Sequence, residues 1–98
     1  MSDPSPLELV HIPQWAFDAQ AQTLTRRFTF DDFDLAFEFM TRTATVARAL
    51  NHHPDWCQHY NRVHVSLTTH EQQRVTELDY RLARDMDALY DAMTAPRT

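Results

Sequence analysis

The 98-residue chain contains no glycine, where average usage of about 7% would supply roughly seven. Glycine-rich phosphate loops are therefore excluded, and turns must be made by Pro, Asn and Asp. Cys57 is the single cysteine, so an internal disulfide is impossible and a reducing compartment is expected. Lysine is absent as well. All nine basic residues are arginines, scattered except for the adjacent Arg26-Arg27, and the net charge is −5. That balance argues against nucleic acid as a ligand, because phosphate binding needs a basic face. No stretch approaches the roughly 18 apolar residues that span a bilayer. The acidic, Pro- and Ser-containing segment Met1 to His11 has the wrong chemistry for a signal peptide. A soluble cytoplasmic protein is expected, with neither membrane nor nucleic acid as partner.

Hydrophobic residues make up 43% and charged residues 23%, a balance that folds rather than stays disordered. The length suits one domain with a modest core. Histidine is abundant at six. Four of them (His52, His53, His59 and His64) lie close together, and His70 follows. This histidine-rich middle is the first hint of chemistry.

Residues 1–13, punctuated by Pro4, Pro6 and Pro13, read as a flexible leader, with a helical turn around Leu7 to Val10. Gln14 to Ala19 and Thr23 to Phe30 suit a β-hairpin turning at Gln20-Ala21-Gln22. From Asp31 to Leu50, Phe33, Ala36, Phe37, Met40, Ala44 and Ala47 recur at helical spacing, and Leu35, Phe39, Val46 and Leu50 widen that stripe. Asp31 and Asp34 provide cap and dipole charge, and Asn51 with Pro54 ends the helix. Trp56 to Tyr60 reads as a short strand. Arg62 to Thr69 is a better one, with Val63, Val65 and Leu67 on one face. A second helix starts at Thr76-Glu77-Leu78-Asp79, a capping box with Asp in its third position. Leu78, Leu82, Met86, Leu89 and Met93 mark its buried stripe, and residues 94–98 are a frayed tail. The order β-β-α-β-β-α predicts an α+β fold: a single domain over 14–93, with an antiparallel four-stranded sheet and helices packed on one face.

His52 and His53 fall at a helix end, and His70 falls just past a strand end. Both are places where side chains face a cleft. Imidazoles exchange protons near neutral pH, so such a set can act as acid and base in eliminating water. Each has a plainer reading beside it. A His-His pair after a helix serves as a solvated cap. His59 and His64 suit a sheet surface, Asp79 is accounted for by capping, Asp55 by loop anchoring, Trp56 by the core and Cys57 by inert packing. A metal site drawn from His52, His53, His59 and His70, with Asp55 or Glu71, is the rival. No C-x-x-C, H-E-x-x-H or other tight zinc spacing supports it, so no metal is expected.

The run His52-His53-Pro54, Trp56, His70 after Thr68-Thr69, and Asp79 beyond resembles the signature of pterin-4a-carbinolamine dehydratases. The aromatic-rich Phe28-Thr29-Phe30-Asp31-Asp32-Phe33, leading into Ala36-Phe37-Glu38-Phe39-Met40, is similar to that family's segment before its long helix. Tyr60-Asn61-Arg62-Val63-His64-Val65 resembles its strand before the third histidine. The likeness covers Trp15 to Leu89. It implies dehydration of 4a-hydroxytetrahydropterin to quinonoid dihydropterin in tetrahydropterin recycling, with no cofactor. It makes His52 and His70 the acid and base, with His53 completing the pocket. His52, His53, Pro54, Thr69, His70, Glu71 and Gln72 would hold the pterin, supported by Asp79, Trp56 and Arg48. It also implies a homodimer or homotetramer and an aromatic amino acid hydroxylase as functional partner. The alternative is a non-catalytic protein-binding or dimerisation module of the same fold. Two departures stand out: Arg48 occupies a usually acidic position, and Gln72-Gln73-Arg74 replaces a glycine-containing turn.

Overall fold

The computed structural model describes residues 9–95; most of the leader and the last three tail residues lie outside them, and of the helical turn expected around Leu7 to Val10 only residues 9–10 are described, as helix. Strands β1 (Ala16–Asp18), β2 (Thr23–Thr29), β3 (Asp55–His59) and β4 (Arg62–Leu67) are joined by helices α1 (Phe33–Leu50) and α2 (Glu77–Thr94). The sheet order is β1-β2-β4-β3, and every neighbouring pair is antiparallel. This is the α+β arrangement that the element order predicts.

Alternation in β2 and β4 places Leu24, Phe28, Val63, Val65 and Leu67 on one face, all buried. Both helices cover that face. Phe28 lies at the centre, 4.7 Å from the Phe39 ring and 5.1 Å from Tyr90, with Trp15 edge-on at 5.8 Å. Ile12 is buried in the same cluster, so packing begins before Gln14.

The helices turn differently from the expected stripes. In α1 the buried line is Ala36, Phe39, Thr43 and Ala47, whereas Phe33 and Phe37 stack on each other in solvent, 46% and 56% exposed. In α2, Asp79, Tyr80, Leu82, Ala83 and Met86 are buried and Leu78 is 37% exposed. The N-cap of α1 is Asp32 rather than Asp31: its carboxylate accepts from the Leu35 N–H at 2.8 Å.

Without glycine, left-handed backbone falls to Gln22, Asn51, Tyr60 and Gln73. At the first hairpin the Asp18 carboxylate accepts from the N–H groups of Gln20 and Ala21, both at 2.9 Å, and so closes the turn from its own side chain. Asn51 takes φ 52 just past α1. The Asn51 N–H then returns to the Arg48 carbonyl and the His52 N–H to the Ala47 carbonyl, the Schellman pattern that fixes where His52 begins.

Candidate active site

Two short segments meet at one end of the sheet: 52–55, between α1 and β3, and 69–79, between β4 and the start of α2. The Schellman turn aims His52 inward, where it is 7% exposed. Its Nε2 lies 2.6 Å from Asp79 Oδ1. Asp79 is fully buried, and its other oxygen accepts from Thr69 Oγ1 and from the Thr76 N–H, both at 2.8 Å. The Thr69 hydroxyl spends its one proton on Asp79, so the Thr76 hydroxyl, 2.6 Å away, donates to it. Capping therefore does not account for Asp79 by itself, contrary to expectation; the carboxylate caps α2 and also ties together Thr69 and His52. A carboxylate oxygen there can only accept, so His52 Nε2 carries a proton toward Asp79.

His70 follows Thr69 directly and is exposed, its Nε2 3.1 Å from Asp55 Oδ2. Asp55 opens β3 two residues after His53. The segments are thus linked twice, by His52–Asp79 and by Asp55–His70. Between Thr69 and Arg74 the chain closes on itself through a β-bridge. Gln73, at φ 55, takes the conformation that the missing glycine would have adopted. Pro54 is half-buried, and Glu71 and Gln72 are exposed on the rim. His53 is exposed and makes no hydrogen bond among the described residues. Trp56 is half-buried against the core. Arg48 is an exposed base in the last turn of α1, where it suits the helix dipole.

The face of the sheet away from the helices is not flat. A cavity of about 720 Å³ there is lined by Arg27, Asp55, Trp56, Cys57, His64 and Ser66, among others. None of the three candidate histidines lines it; Asp55 connects it to His70. Burial, with Arg27, His59 and Arg62 nearby, holds His64 below the ordinary imidazole value. Cys57 is not the inert packing thiol expected: it is exposed, with Sγ 3.4 Å from His59 Nε2. Asp55 as the partner of His70 is what sequence reasoning missed, since one carboxylate in a loop carries no signal of the strand that will bring it across.

Compared with known proteins, residues 3–89 match the sequence family described as Pterin 4 alpha carbinolamine dehydratase. The chain belongs to this family. A Bordetella avium protein provisionally named pterin-4-alpha-carbinolamine dehydratase is 50% identical over 76 residues, spanning 78% of this chain and 70% of that protein. A Synechococcus protein with the same provisional name is 47% identical over 78 residues, 80% and 82% of the two chains. The crystal structure of a Brucella melitensis protein described as a transcriptional coactivator/pterin dehydratase superposes with a TM-score of 0.84 at 39% identity, covering 91% of this chain and 99% of that one. A pterin dehydratase-like RuBisCO assembly factor of the alpha-carboxysome shares the fold, with a TM-score of 0.69 at 21% identity over 82% and 93% of the chains.

Proposed function

We propose that the protein dehydrates 4a-hydroxytetrahydropterin to quinonoid dihydropterin, with His52 and His70 exchanging the protons. The observation that carries this reading is the pairing of each histidine with its own carboxylate, Asp79 at 2.6 Å and Asp55 at 3.1 Å, two contacts that also join the segments 52–55 and 69–79. In the reaction a base takes the proton from N5, and the nitrogen lone pair forms the C4a–N5 double bond as the C4a–O bond breaks. An acid delivers a proton to the departing hydroxyl in the same step, and it leaves as water. One imidazole with a free lone pair and one carrying a proton suffice for both transfers, and no electron acceptor is needed. His52, oriented by a buried carboxylate, suits a fixed role. His70, exposed beside Asp55, suits the transfer that needs access to water. His53, Glu71 and Gln72, exposed on the same two segments, would supply polar contacts for a flat pterin, beside Pro54 and Thr69.

A second reading is supported by the coactivator half of the Brucella melitensis protein's description and by the exposed Phe33–Phe37 stack on α1: a non-catalytic module that binds another protein. One assay separates the two. The carbinolamine is generated in situ and its dehydration is followed with and without protein, counting only acceleration above the protein-free rate. Wild type is expected to accelerate it, and His70→Ala to lose at least about 100-fold of that acceleration, the usual worth of a positioned acid or base. A folded wild type with no acceleration would refute the enzyme reading in favour of the binding module.

A further inference from the structure

Away from the two histidine–carboxylate pairs, the open face of the sheet carries a second set of ligating side chains. Cys57 and His59 are two residues apart on β3 and so point the same way. His64 is the cross-strand neighbour of Cys57, returned beside it by the two-residue connection Tyr60-Asn61. One ligand atom from each of the three residues lies within 4.8 Å of the other two. The Cys57 Sγ to His59 Nε2 distance is 3.4 Å. A tetrahedral zinc centre, with its usual bond lengths, sets a sulfur–nitrogen edge of about 3.6 Å and a nitrogen–nitrogen edge of about 3.3 Å. The rings of His59 and His64 are 5.1 Å apart between centroids.

A thiol–imidazole hydrogen bond would account for Cys57 and His59 but not for His64. The His64 Nε2 is buried and has no hydrogen-bond partner, and a buried polar atom without a partner is costly. An ion bound through that nitrogen would satisfy all three groups together. Cys57 and His59 are exposed, which gives the ion a way in from solvent. We propose that Cys57, His59 and His64 form a binding site for a borderline-soft divalent transition metal, zinc above all, with the fourth position open to the sheet-face cavity. One thiolate and two imidazoles select such an ion over magnesium or calcium, which take oxygen ligands. Arg27 pairs across the strands with His64, and Arg62 with His59. The thiolate charge is therefore what makes a divalent cation acceptable on this face. The tight zinc spacings sought in the sequence are helix and loop patterns; here strand alternation and a hairpin register do the same work.

The proposal is independent of the dehydratase reading and is tested without it. The full chain is stripped with a chelator under reducing conditions and titrated with Zn²⁺, and separately with Co²⁺, whose thiolate charge-transfer absorption reports a sulfur ligand. Wild type is expected to take up one equivalent and to show that band. Cys57→Ala, His59→Gln and His64→Gln should each lose the equivalent while circular dichroism shows them folded, and His70→Ala should keep it. Absence of a stoichiometric equivalent in wild type would overturn the site, as would its survival in Cys57→Ala. Loss in His70→Ala with retention in Cys57→Ala would move the ion to the dehydratase histidines and equally overturn it.

Discussion

At the scale of single residues, the chemistry turns on what three donors find at Asp79. The His52 ring, the Thr69 hydroxyl and the Thr76 N–H converge on its two oxygens, inside a side chain with no solvent exposure. An amide keeps the shape but offers one oxygen and one NH₂, so in Asp79→Asn either one donor faces another donor or His52 is driven into the opposite tautomer. Leaving one buried donor unpaired costs about 2 kcal/mol, which urea unfolding will measure. If Asp79 also holds His52 in the tautomer and orientation the reaction uses, the folded variant loses kcat by about 10- to 100-fold with KM little changed. A purely structural Asp79 predicts instead that kcat recovers once the assay temperature is set well below the variant's Tm. The residue types at the site were legible in the sequence, but their partners were not. His52 and His53 are neighbours of identical type, yet a Schellman turn sends one inward and leaves the other in water. Nothing local marks that difference, because the acceptor for His52 lies 27 residues away.

At the scale of elements, the strands were read more faithfully than the helix faces. Alternation in Arg62 to Leu67 is strict, and a period of two leaves only one way to bury Val63, Val65 and Leu67. In α1, apolar residues are frequent enough to define two overlapping stripes. The expected stripe took in Phe33, Phe37 and Met40 along with Ala36 and Ala47; of these only the two alanines are buried, in line with Phe39 and polar Thr43. The choice was made by the sheet, since small residues let the helix approach while Phe39 reaches Phe28. Turns without glycine were foreseen to use Asp and Asn, as Asp18 and Asn51 do, but not to force Tyr60 to φ 55 between β3 and β4. A residue with a Cβ in that region carries about 1–2 kcal/mol of strain, and glycine gives part of this back through its greater freedom when unfolded. Tyr60→Gly is therefore expected to stabilise by about 0.5–1 kcal/mol and to raise Tm by a few degrees in a domain of this size. Differential scanning calorimetry decides the matter, and a lowered Tm would mean that the exposed Tyr60 ring makes an unrecognised contribution.

At the scale of the whole molecule, one carboxylate fastens the two layers together. Asp87 of α2 accepts at Oδ1 from Trp15 Nε1 at 2.8 Å and from Arg26 of β2 at 2.5 Å. The Arg26 guanidinium in turn lies 4.3 Å above the Phe28 ring and 5.1 Å from Tyr90, on the aromatic core. Two donors of this kind ordinarily favour the ionised form. Burial nevertheless outweighs them, and with a smaller push from Asp91 the Asp87 carboxyl is held above its usual range. The folded state then binds this proton more readily than the unfolded chain does. Its contribution to stability is complete below the unfolded value near 3.8 and is lost as pH rises through the higher folded value. Asp87→Asn cannot titrate, so it serves as the reference. The Tm of wild type minus that of Asp87→Asn is expected to be largest in the acid range, to shrink as pH is raised, and to level off once Asp87 is ionised in both states. A difference that grows with pH would mean that the Arg26 ion pair, and not desolvation, governs how the sheet and α2 are held together.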